Sequence, residues 1–311
     1  MTLIPLKART GIAALTFAAM VMPLSAAADT FVFNTGTPDG RIATATRPES
    51  PGKFEIETGD DFALTQQTRI TGAAFTGLIP SGASTSNISN VVVEIYRVFP
   101  ADSDVGRTSG PPTFSTANVP TRFNSPSDVA LDERKFSDGS LNFVPVVLQA
   151  TFTASNSVQP GGIHPKPNQT TGGDKSVTGQ ETVIAVNFTT PFNLPADHYF
   201  FVPQVELSSG DFLWLSAPKP IVVPPGTPFP PGFTDLQSWT RDDSAGGIAP
   251  DWLRVGTDIV GGTPAPQFNA AFVLNGVSVP GSIVGAGLPG LILACGVLVA
   301  FARRRRRQLV G

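Results

Sequence analysis

Ser89-Asn90-Val91-Val92-Val93-Glu94-Ile95-Tyr96-Arg97-Val98-Phe99 is the stretch whose reading decides the fold class. Val, Ile, Tyr and Phe suit a pleated, half-buried surface, and Glu94 and Arg97 interrupt the run as in a strand with one wet face. Just before it, residues 69–79 are rich in small and β-branched side chains and stop at Pro80-Ser81-Gly82, a turn signal. Further strands are expected at 143–153, 181–188, 198–207, 212–216, 252–255 and 267–274. Gly and Pro recur too often between 29 and 280 for long helices.

The intervening stretches 102–128, 158–179 and 219–234 are dominated by Pro, Gly, Ser and Asn, whose backbone preferences favour turns and irregular loops. Strands resume after each without a change of composition, so they do not read as domain linkers. The expectation is one all-β domain over 29–276 with eight to twelve strands, a single antiparallel β-sandwich of jelly-roll type with long loops. No internal repeat is visible, which argues against a propeller or solenoid.

The two ends read differently from the middle. Lys7 and Arg9 precede an apolar run over 11–22, and Ser25-Ala26-Ala27-Ala28 supplies small residues at a cleavage site. That order is a secretory signal peptide over 1–28, with cleavage expected before Asp29 by signal peptidase after passage through the export machinery. At the other end, residues 283–302 carry no charge. A helix of that length rises about 30 Å, enough to cross a bilayer's hydrocarbon core. Arg303, Arg304, Arg305, Arg306 and Arg307 follow directly, and arginine clusters stay on the cytoplasmic side. The expectation is a transmembrane helix anchoring the chain in the inner membrane with 29–280 outside the cytoplasm.

The spacer Val279-Pro280-Gly281-Ser282-Ile283-Val284-Gly285-Ala286-Gly287-Leu288-Pro289-Gly290, followed by the apolar run and the arginines, resembles the PEP-CTERM sorting tail of bacterial surface proteins. In this sequence Gly281 follows Pro280 where the family signature has Glu between two prolines, so the resemblance is to a variant tail over 277–311. The resemblance implies an exosortase as processing partner, release to the cell surface or matrix, and association with extracellular polysaccharide. A GPI signal also ends in an apolar tail, but a block of arginines does not normally follow it. Two internal stretches add to this. Gly59-Asp60-Asp61-Phe62-Ala63-Leu64 is similar to the "DDF" domains often attached to such tails. The run from Phe188 to Phe201, with its Leu194-Pro195-Ala196 turn and Tyr199, looks like a turn common in extracellular sandwich modules. These resemblances imply no known activity.

Composition narrows the chemistry. The only Cys is Cys295, inside the apolar tail, so 29–280 holds no disulfide, thiol nucleophile or Cys-based metal site. All three Met lie in the leader, and of the 22 Phe all but Phe17 and Phe301 lie between 29 and 280, where with the three Trp they are the bulky residues available for a core. Of the 21 Lys+Arg, 14 lie between 29 and 280, against all 24 Asp+Glu, a formal balance of −10. Such a domain lacks the basic footprint that nucleic acid requires.

Catalytic signals are sparse. His164 and His198 are not spaced as zinc ligands, and no G-x-S-x-G elbow is present. Carboxylates cluster as Glu55, Glu57, Asp60 and Asp61, and as Asp242 and Asp243. Glycoside hydrolysis uses such pairs, yet any acidic domain supplies them. Asp60 and Asp61 are alternatively Ca²⁺ ligands, or residues that cap or solvate the start of a strand. Trp214, Trp239 and Trp252 form a sugar-stacking platform if exposed and serve the core if not. The expectation is a non-enzymatic exported surface or matrix protein without a cofactor. The alternative is a carbohydrate-binding or glycan-active module on the same fold, with Ca²⁺ as its ion.

Overall fold

The longest strands are the ones that hold the nine-stranded sheet together. In the computed structural model, which describes residues 29–103, 123–163, 170–242 and 252–279, fifteen strands form two sheets, of nine and six strands. They are β1 (Thr30–Asn34), β2 (Ile42–Ala45), β3 (Ile56–Leu64), β4 (Thr68–Pro80), β5 (Ile88–Arg97), β6 (Asp132–Lys135), β7 (Leu141–Ala154), β8 (Asn156–Val158), β9 (Val177–Leu194), β10 (Asp197–Leu207), β11 (Leu213–Ala217), β12 (Trp239–Asp242), β13 (Leu253–Arg254), β14 (Asn269–Ala270) and β15 (Phe272–Ser278). The eight to twelve expected strands therefore undercount the described chain, because several strands are only two to four residues long.

β4 is the spine of the larger sheet. One of its edges takes β15 over Thr68–Phe75 and then β11 at Gly77 and Leu78, while the other carries β9 from end to end. Beyond β11 lie β2 and β8, and beyond β9 lies β7. At Gly77 the partner strand and the Phe212 ring come so close that a Cβ would sit 2.2 Å from Phe212 Cζ. Only glycine fits there. The smaller sheet runs β13-β12-β3-β10-β5-β6. Pairing is antiparallel except between β2 and β8, which are parallel, a departure from the all-antiparallel expectation.

The core between the sheets is aromatic, as the absence of Met after residue 22 foretold. Phe201 of the smaller sheet stacks on Phe272 of the larger at 5.1 Å and meets Phe75 and Trp214 edge-on at 6.2 and 6.0 Å. Phe62 approaches Phe33 at 6.3 Å and stacks on Tyr199 at 5.5 Å. Each such pair contributes about 0.5–1.5 kcal/mol beyond simple burial. β9 and β10 are joined by Pro195 and Ala196, and the Tyr199 hydroxyl donates to Pro195 O at 3.0 Å, pinning that turn. A second apolar cluster lies around β2, β8 and β11, and packs the helical turn Val255–Val260 and Phe268.

Candidate functional site

β3 positions the acidic residues that the sequence singled out. It is a full strand whose nine residues are all buried. Successive side chains on a strand point to opposite faces. Asp60 therefore shares the inter-sheet face with Phe62, and Glu57 and Asp61 lie on the outer face of the smaller sheet. Asp60 is fully buried, and accepts from the Ala270 N–H at 2.8 Å and the Ser238 hydroxyl at 3.3 Å. Asp61 accepts from the Leu236 N–H at 3.0 Å and contacts His198 Nε2 at 2.6 Å. The two neighbouring carboxylates point to opposite faces, Asp60 held by an N–H and a hydroxyl, and Asp61 by an N–H and the His198 ring. Among the described residues no group of three or more His, Cys, Asp or Glu is arranged to hold a metal. The residues are also not a solvated cap, since β3 passes through the interior.

Burial raises the carboxyls of Asp60 and Asp61 well above the usual carboxylate range, and the Asp61 charge adds to the effect at Asp60. Burial pulls His198 down to about 4, against the opposing influence of Asp197. The Asp61–His198 hydrogen bond thus lies where burial disfavours the charged form of each partner. Below it, Lys219 Nζ donates to Asp235 Oδ1 at 2.7 Å and to the carbonyls of Asp235 and Leu236 at 2.8 and 2.7 Å.

Farther along the same outer face sits a second polar cluster, which the sequence reading missed. Arg241 on β12 lies opposite Glu57 on β3, and its guanidinium bonds the Glu57 carboxylate. It also donates to Tyr96 Oη at 3.0 Å and to Asp128 O at 3.1 Å, with Trp252 4.5 Å beneath it. Tyr96 donates to Glu57 and lies 3.4 Å from Glu94. Burial opposes ionisation of Glu57, but the Arg241 charge and hydrogen bonds hold its carboxyl below the usual range. Burial and then the Glu57 charge push Glu94 up to about 9. Glu57 and Glu94 thus share one tyrosine hydroxyl, with Glu57 committed to Arg241. A glycosidase pair would instead flank a gap of about 5–9 Å for the sugar. Glu55 accepts from Gln204 Nε2 at 2.9 Å, and Asp242 is buried in register with Ile56. In the sequence only the pairing of β3 with β12 could have linked Glu57 to Arg241, and that pairing is not written locally.

The three tryptophans are each 1% exposed. Trp214 donates to Ala271 O and Trp252 to Ser127 O, both at 3.0 Å. A cleft of about 200 Å³ reaches the edge of Trp239 beside Gln237 and Arg254, but the Arg254 guanidinium lies 5.7 Å over the ring. No indole face is free to stack on a sugar, which corrects the platform expectation: the aromatics are used for packing. The wet face expected for β5 is likewise covered, with Tyr96 packed edge-on against Trp252 at 5.5 Å. A different cleft, of about 530 Å³, opens between Arg41, Asn156, Lys175 and Phe268.

Of the tail residues, Val279 is described, and its N–H donates to Gln67 O at 2.8 Å just past the end of β15. The strand runs to Ser278, two residues beyond the expected domain end at 276. Pro280, Gly281, Pro289, Arg303 to Arg307, His164, Asp243 and the expected signal peptide over 1–28 lie outside the described residues. Among the described residues no helix is long and apolar enough to cross a membrane. No family model matches the chain, and no curated protein or solved structure matches it.

Proposed function

We propose that this chain is a non-enzymatic, exported surface or matrix-associated protein. It carries an all-β domain, a two-sheet sandwich of jelly-roll type, on a PEP-CTERM-like sorting tail. The observation that carries the reading is the uncharged run 283–302 closed by five arginines, paired with a leader whose small residues end at Ala28. The β domain supports it on the negative side. Asp60 and Asp61 are engaged in buried hydrogen bonds, and Glu57 is engaged by Arg241 and Tyr96. In this reading the leader is removed by signal peptidase, the tail holds the chain in the inner membrane, and an exosortase acts in the Val279–Gly290 spacer. Carbohydrate binding without catalysis is the compatible second role, and the 530 Å³ cleft favours it.

The test is a pair of reporter fusions. Alkaline phosphatase, active only outside the cytoplasm, is fused after Val279, and a cytoplasm-restricted fluorescent protein after Gly311. Both fusions should be active, and replacing Arg303 to Arg307 with Gln should lower the orientation bias. A phosphatase that stays silent after Val279 would refute export.

A further inference from the structure

The 530 Å³ cleft is lined by Arg41, Ser155, Asn156, Gly172, Gly173, Lys175, Pro266 and Phe268, with no carboxylate among them. That is unusual on a domain whose formal balance is −10. Among the described residues every Lys and Arg pairs with a carboxylate except Arg41, Arg69 and Lys175. Two of those three free cations line this one cleft. The Arg41 guanidinium is stacked 4.7 Å over the Phe268 ring, which orients it without neutralising it.

The wall that carries Lys175 is built, not loose. Asn156 Nδ2 donates to Gly172 O at 2.8 Å, and the Ser157 hydroxyl donates to Lys175 O at 2.9 Å. Asp174 N–H donates to Ser157 O at 2.8 Å, and Thr171 N–H to Ile259 O at 2.8 Å. Gly172 and Gly173 take left-handed φ values of 79° and 81°, and a Cβ on Gly173 would lie 2.4 Å from the Asn156 side chain. The tight loop is therefore clamped against β8, and its lysine is held at the cleft.

We propose that this cleft binds the carboxylates of an acidic polysaccharide, with Arg41 and Lys175 as the anion-binding residues. Arg41 presents a planar fork suited to a carboxylate, and Lys175 adds a point charge. Asn156, Ser155 and the Gly172–Gly173 backbone offer amide and hydroxyl groups to sugar hydroxyls. Arg41, Ser155, Gly172 and Lys175 on its lining are all exposed, which suits a glycan reached from solvent better than an enclosed small molecule. Two cations on an otherwise acidic surface do not make the extended basic footprint of a nucleic-acid site. The inference rests on the matrix-associated reading above and supplies the class of glycan.

The experiment uses the full chain in detergent micelles, titrated calorimetrically with tetragalacturonate. Parallel titrations use its methyl ester, sodium acetate, and an oligothymidylate of equal charge. Tetragalacturonate should bind, and its affinity should fall about tenfold or more with the ester and with Arg41→Gln/Lys175→Gln. Arg69→Gln removes the third free cation and the same charge elsewhere, and should change affinity by less than about twofold. Both cleft residues are exposed, and an unchanged far-ultraviolet spectrum confirms that the double variant folds; Lys175→Gln alone serves if it does not. Equal binding of the ester, an equal loss with Arg69→Gln, or acetate or oligothymidylate binding as tightly as the sugar would each overturn the assignment. Phosphatase fusions report export separately, so a silent fusion alongside intact sugar binding would sink the surface reading alone.

Discussion

Arg241→Met tests whether the outer face of the smaller sheet is held by an ion pair or merely covered by apolar packing. Arg241 and Glu57 are 7% and 3% exposed, and each is the other's principal partner. Removing the guanidinium strands a buried carboxylate and takes a donor from Tyr96 and from Asp128 O. Breaking one side of such a pair costs about 3–5 kcal/mol. Replacing both partners, as in Glu57→Gln/Arg241→Met, removes the stranded charge, so the double variant should be more stable than Arg241→Met by about 2 kcal/mol or more. Urea unfolding followed by tryptophan fluorescence reads both, because Trp252 lies under the guanidinium. The sign with pH follows from Glu57. Its carboxyl is held low by Arg241 in the native protein, so that contribution is present above the unfolded carboxylate range and lost as pH falls through the folded value. Without Arg241, burial drives Glu57 upward, and acid neutralises the stranded charge. The cost of Arg241→Met should therefore shrink between pH 7 and pH 4. Losses that add within about 0.5 kcal/mol, or a cost independent of pH, would refute the reasoning.

Glu94 should show the opposite dependence. Its folded value of about 9 lies above the ordinary 4.5, so the native state holds a proton that the unfolded chain releases, and stability falls as pH rises through that window. Glu94→Gln should flatten the slope by about 1–2 kcal/mol between pH 5.5 and 7.5, as read by denaturant midpoints; an unchanged slope would assign the effect elsewhere. Asp61→Asn keeps an oxygen at the Oδ2 position that accepts from Leu236 N–H and from the Nε2–H tautomer of His198, and should cost less than about 1 kcal/mol, while Asp61→Leu should cost about 2–4 kcal/mol. Equal losses would mean that Asp61 acts through its charge. Millimolar Ca²⁺ should leave the wild-type Tm unmoved, and a rise of several degrees would show that Asp60 or Asp61 chelates after all.

Strand period and turn chemistry made much of the framework legible. β4, β5, β7 and β10 run within a few residues of their expected limits, because their Val, Ile and Phe alternate or cluster between Gly and Pro stops. β3 was not legible as a strand. Four acids within the stretch from Glu55 to Asp61 look like surface, and the pattern of a half-buried strand fails when both faces are covered. β2, β8 and β12 are too short to carry a period at all, whereas β13 and β14 fall inside the stretches expected at 252–255 and 267–274. The cleft was invisible for a related reason: Arg41 and Lys175 stand 134 positions apart in the numbering and meet only because β8 pairs with β2 and the Gly172–Gly173 loop folds back on Asn156.

By itself the sequence determined the β character of the middle, the aromatic make-up of the core, the acidic balance and the expectation of an exported, tail-anchored chain. These depend on local composition, on short periods and on runs of like residues, which need no partner to be read. The tertiary structure decided which side chains are buried and with whom. It turned three candidate sugar platforms into core residues, separated Asp60 from Asp61 onto two faces, joined Glu57 to Arg241, and left Arg41 and Lys175 unpaired at one cleft. Burial and charge pairing are set by contacts distant in sequence, and those exist only once the strands are in register.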